Sequence, residues 1–228
     1  MRVRDIKWNA HLPSPHTRGT RRRKGRRPIT PPETYRRRLQ TARPHPSIKY
    51  NGSMETPFGE YSDRVWKHLK NFYGIRVVTR DIPDPLTGDL DGAEIHIDYA
   101  VTPEQRLFLL GHLFGHTVQW NLDPASFEIG RRYQPPVNED LIPAIVAYER
   151  EAACYGLAMF HQIGITDIDQ WFCDYTACDQ AYLLHFYRTG EKRDFQTFWQ
   201  NHAPRIDPKP VPIFTPKKRT MRMDGIVI

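Results

Sequence analysis

Two histidines four residues apart, His112 and His116 in the run LGHLFGHTVQ, are the residues best able to do chemistry in this chain. On a helix that spacing puts both imidazoles on one face, where they can hold one metal ion as the zinc-binding half of an H-E-x-x-H motif does. The position that should hold the motif's glutamate is Leu113. Spacing alone is a weak signal, because ten histidines in 228 residues supply roughly 0.4 such pairs by chance.

A second stretch changes the weighing. At about 100° per residue, Ile142, Ile145, Val146, Ala153, Gly156 and Phe160 form one apolar stripe, and Glu149 falls in the middle of it. A carboxylate there must be paired, protonated or metal-bound, since burying it alone is costly. Glu151 lies roughly 200° round the same helix, so both cannot ligate one ion. Two His and one Glu are a known catalytic zinc set that leaves a fourth position for water. The competing reading is a buried salt bridge from Glu149 to an arginine or histidine.

The elements that must position these groups can be read from periodicity and punctuation. Residues 60–73 place Val65, Leu69 and Phe72 at helical spacing, with Gly74 as a stop. IRVVTRDI at 75–82 reads as a strand, Pro83, Pro85 and Gly88 as a turn, and AEIHIDY at 93–99 as a half-buried strand. Thr102-Pro103 caps a helix over 103–120 that carries both histidines. A loop is expected over 121–136, then helices over 139–163 and 167–188, with a short fourth at 194–200. The order is helix, strands, then helices: an α+β fold. Five prolines between 204 and 216 predict an extended, loosely attached C-terminal segment over 204–228.

With both stretches placed, residues 60–163 resemble the ImmA/IrrE family of zinc metallopeptidases. That family joins a strand and an H-E-x-G-H helix to a downstream helix of the form E-x-x-A-N-x-F-A. EIHIDYAVTPEQRLFLLGHLFGHTVQ matches the first part, with Gly115 as its glycine, and YEREAACYGLAMF the second. In the second, Ala153 stands where Asn is usual, Tyr155 is the aromatic and Gly156 the small residue. The resemblance implies a mostly helical, zincin-like domain over 54–203 with a small N-terminal β-sheet. It implies Zn2+ on His112, His116 and Glu149, work in the cytoplasm, and a protein partner or peptide. The family's general base falls on Leu113, which moves no proton; such a base is worth roughly 10²- to 10⁴-fold in rate. FHQIG at 160–164 replaces the family's LLMP ending.

No other acid is placed at the site by the sequence: Glu139 and Asp140 begin one helix, and Asp174 and Asp179 lie on the next. His161 is about 120° round from Glu149 and reads as a surface residue. The aromatics Trp171, Phe172, Tyr175, Tyr182 and Phe186 lack interleaved basic residues and read as core rather than as a base-stacking platform.

Charge divides the chain unevenly. Residues 1–53 carry 15 Lys/Arg against Asp5 and Glu33, leaving 18 Lys/Arg against 24 acids in the remainder. The Arg/Pro-rich stretch 1–53 is expected to be disordered, and can hold nucleic acid by phosphate neutralisation; alternatively it is an upstream extension before a true start at Met54. Three cysteines without a C-x-x-C pair suggest reduced thiols, and no apolar run approaches the roughly 20 residues of a membrane span. Three functions follow. The first is a metal-binding domain degraded at its catalytic acid and kept for a regulatory or protein-binding role. The second is an active zinc hydrolase whose base comes from elsewhere, and the third a basic-tailed nucleic-acid-associated protein.

Overall fold

The structure, a computed structural model, describes residues 57–82, 86–132 and 135–219. The expectations for residues 1–53, for Pro83 and for Pro85 lie outside it. The fold is α+β and mostly helical, with a three-stranded sheet near the N-terminal side.

Helix α1, Phe58–His68, runs into a π-helical turn, Leu69–Tyr73, which Gly74 ends at φ 70°, a backbone region that glycine enters without strain. Strands β1 (Arg76–Arg80), β2 (Gly88–Leu90) and β3 (Glu94–Asp98) form a sheet in the order β1-β3-β2. β3 is central, parallel to β1 with Val77 opposite Ile95, and antiparallel to β2 with Leu90 also opposite Ile95. Asp98 closes the end of the sheet, its carboxylate accepting from the Ile82 and Ala100 amides.

Helix α2, Pro103–Leu122, starts on a complete capping box. The Thr102 hydroxyl accepts from the Gln105 amide while the Gln105 side chain accepts from Thr102 N, with Pro103 at the first position. Every residue of α2 from Leu107 to Trp120 is buried. A helix covered all round is the centre of a core. α4, Ile142–Gln162, packs along it most extensively, α1 and the sheet cover other sides, and α5, Asp169–Thr189, lies against α4.

Three expectations need correction. Gly88 is not only a turn residue; it starts the short strand β2. The stretch 121–136 is not all loop, because Pro124–Arg132 forms helix α3. Its start was readable: the Asp123 carboxylate accepts from the Ala125 and Ser126 amides, with Pro124 next in line. The C-terminal segment is extended as its prolines dictate, but it is anchored over 203–219 rather than loosely attached. Between and beyond the prolines, amides find acceptors: Lys209 N bonds Cys154 O, Lys217 N bonds Asn121 Oδ1, and Arg219 N bonds Asp91 O. Ile206, Val211 and Phe214 pack on the core, and Lys209 pairs with Glu151.

Of the α5 aromatics, Trp171 and Phe172 are core, as expected, with Phe172 meeting Phe160 edge on; Tyr182 is buried, Tyr175 packs against the core half-buried, and Phe186 is only half-buried. Cys154, Cys173 and Cys178 are free thiols. Among the described residues no helix is long and apolar enough to cross a membrane.

Candidate metal centre

Glycines set the distance between the two site helices. A Cβ on Gly156 of α4 would lie 2.6 Å from Gly111 O of α2, and one on Gly115 would overlap the Ala152 carbonyl of α4. With no side chain at these positions the backbones touch, and the face of α2 that carries the histidines meets the stripe of α4 that carries Glu149.

The structure brings His112, His116 and Glu149 together as one buried group. His116 Nε2 lies 3.0 Å from His112 Nε2 and 3.1 Å from Glu149 Oε2, and His112 Nε2 lies 3.5 Å from the same oxygen. The three residues are 2%, 1% and 6% exposed. An ion bonded at about 2.0–2.1 Å with tetrahedral angles spaces its ligand atoms about 3.3 Å apart, so the triangle is of the size such an ion requires.

A hydrogen bond behind His116 fixes which of its nitrogens faces inward. Gln119 donates its amide nitrogen to Tyr148 O and to Glu151, both at 2.9 Å. Its carbonyl oxygen therefore faces His116 Nδ1 at 2.9 Å, which makes Nδ1 the protonated nitrogen and leaves the Nε2 lone pair pointing at the centre. The rings are held flat by aromatic neighbours: Phe108 stacks on His112 with centroids 5.5 Å apart, and Tyr148 on His116 at 4.4 Å. Trp120 donates to the Tyr148 hydroxyl and fixes that plate in turn.

Electrostatics favour a neutral imidazole at His112. Burial, aided by His116, holds His112 down at about 3, outweighing the opposite pull of Glu149. Burial pushes the Glu149 carboxyl up, but its interactions with His116 and His112 outweigh it and leave it below its ordinary value. A proton between His116 and Glu149 accounts for one edge of the triangle. A cation satisfies all three edges at once.

Leu113, at the position of the missing base, is fully buried and packs against β2, where its Cδ1 lies 2.9 Å from the point a Gly88 Cβ would occupy. Glu151 turns away from the centre, as its angle predicts, but holds Gln119 and so acts on His116 from behind. His161 pairs with Asp169, Glu139 with Arg188, and Asp174 bonds Gln170 and the Ala203 amide, all away from the triangle.

Asp179 is different. It comes from α5 to within 3.9 Å of His112 Nδ1 and is 1% exposed, and sequence reasoning did not place it there. The signal was available: Phe172, Thr176, Asp179 and Leu183 follow helical spacing on the buried face of α5, so Asp179 interrupts an apolar stripe just as Glu149 does. An apolar slot between α4 and α5, too narrow for a water molecule, borders Glu149 and is lined by Ile145, Val146, Gln180, Leu183 and Leu184.

Neither the family models nor the curated proteins contain a match to this chain. Among solved structures, a Mycobacterium tuberculosis transcriptional regulator aligns at 18% identity and a TM-score of 0.31, over 64% of this chain and 41% of that one.

Proposed function

We propose that this chain is a zinc-binding domain of the ImmA/IrrE-like, zincin type that has lost peptidase chemistry and kept its metal centre for a regulatory, protein-binding role in the cytoplasm. The observation that carries the reading is the convergence of His112 Nε2, His116 Nε2 and Glu149 Oε2, at 3.0 to 3.5 Å from one another, in a buried group where the Gln119 hydrogen bond turns the His116 lone pair inward. The donor set suits zinc: two imidazole nitrogens and a carboxylate oxygen.

Bound zinc supplies Lewis acidity and, where a fourth position is open, an activated water. The residues here favour holding over hydrolysis. Gln119 orients His116, Phe108 and Tyr148 fix the ring planes, and the neighbouring side chains exclude bulk water. Leu113 offers no group to take a proton from such a water or give one to a leaving amine.

Metal analysis tests this directly. Purified protein is expected to carry about one zinc per chain and to lose it in His116→Ala and Glu149→Ala; retention of one equivalent in both variants would overturn the site. Restoring the acid with Leu113→Glu is expected to yield no proteolysis. It should cost on the order of 3 kcal/mol in urea unfolding, because the carboxylate would enter a fully covered position against Gly88. Efficient peptide cleavage by the natural sequence, at a rate the restored acid does not improve, sinks the non-catalytic reading and leaves the metal centre standing.

A further inference from the structure

Two atoms beside the metal centre have no hydrogen-bond partner although both are buried: His112 Nδ1 and Asp179 Oδ1. They belong to neighbouring groups, since Asp179 Oδ2 is the carboxylate oxygen 3.9 Å from that same His112 Nδ1. Buried polar groups in native proteins are nearly always paired, so an unpartnered nitrogen and an unpartnered oxygen on two neighbouring side chains call for an explanation.

The other histidine supplies it. His116 has Nε2 on the triangle and Nδ1 on the Gln119 oxygen. His112 has Nε2 on the triangle and, behind it, only Asp179. Metal-bound imidazoles almost always give their second N–H to a carboxylate, a carbonyl or water, which fixes the tautomer and the ring. The present separation is about 1 Å longer than an N–H···O bond, and a small rotation of either side chain closes it.

We infer that Asp179 is the positioning residue of the metal centre: its carboxylate takes the Nδ1 proton of His112 as a hydrogen bond when metal is held, aiming Nε2 at the ion. This rests on the metal-binding reading above. Asp179 is not a fourth ligand, because it lies on the Nδ1 side of His112 and outside the group of atoms that converge. Charge points the same way. A divalent ion on two neutral imidazoles and one carboxylate leaves a net positive charge in a covered site, and the Asp179 carboxylate cancels it. α5 thereby becomes part of the centre although it contributes no ligand.

The test is zinc affinity of the full chain, measured by competition with a chromogenic chelator, together with the melting temperature of the metal-free protein. Asp179→Ala is expected to bind one zinc roughly 10- to 100-fold more weakly. Asp179→Asn, which keeps an acceptor oxygen but not the charge, should fall between it and the natural protein. Without metal neither variant should melt lower, because the carboxylate then has no hydrogen bond to lose. Affinity within twofold of the natural protein in both variants overturns the assignment, and so does a lowered metal-free melting temperature in both, which marks a structural role. Glu149→Ala is the separate check on the centre itself: one zinc still bound at natural affinity there would refute the metal-binding reading, whatever Asp179 does.

Discussion

Zinc is expected to raise the melting temperature of the metal-free protein by about 5–10 °C at a free concentration 100-fold above its dissociation constant. Binding to the folded state alone contributes about 2.7 kcal/mol at that saturation, and each kcal/mol moves the midpoint by about 2–4 °C in a domain of this size. Glu149→Ala should abolish the response. The variant removes the only carboxylate of the converging group, and the two histidines that remain hold zinc far more weakly. A zinc-induced rise of equal size in Glu149→Ala would show that the ion binds elsewhere.

Acid titration of the metal-free protein is a poorer probe of the same site, because two buried groups oppose one another. Burial keeps His112 neutral down to about 3, so between that value and about 6.5 the unfolded chain binds a proton that the folded one refuses; stability falls as pH is lowered through the window. Burial, with Glu149 beside it, raises the Asp179 carboxyl well above its ordinary value. The folded state then holds a proton the unfolded chain has released, and stability rises as pH falls toward 3.8. The slopes have opposite signs over the shared range, whereas the zinc response has one sign.

Gly115→Ala is expected to destabilise the fold by about 3 kcal/mol, read as a lower urea midpoint with unchanged slope. In an exposed helix interior the same change would stabilise by about 1 kcal/mol. Here the added methyl overlaps the Ala152 carbonyl, which is helix backbone and cannot rotate aside, so the steric term decides the sign. α4 must retreat, and Glu149 retreats with it from its 3.1 Å approach to His116. Zinc affinity should therefore fall along with stability, although Gly115 touches no metal. A variant as stable as the natural protein would refute the close-seam explanation of this glycine.

The ligand triangle was legible because its signals are local. A four-residue spacing fixes two histidines on one face of any regular helix, and an acid inside an apolar stripe is conspicuous from composition alone. Thr102 and Pro103 announced the start of the histidine helix, since capping involves residues within one turn. The extended C-terminal segment was legible for the same reason, proline being a restriction on its own backbone. What the segment adheres to was not, because Cys154, Asn121 and Asp91, which receive its amides, are distant in the chain.

Sequence by itself therefore determined an α+β chain with a candidate His112, His116 and Glu149 set and no acid at Leu113. Only the tertiary structure decided that the three ligand atoms converge, that the position of Leu113 is sealed by β2, and that Asp179 stands behind His112. The physical reason is range. Periodicity and capping act through bonds a few residues long, whereas the spacing of α2 and α4 depends on glycines facing backbone some 40 residues away, and the arrival of Asp179 depends on how α5 packs on both.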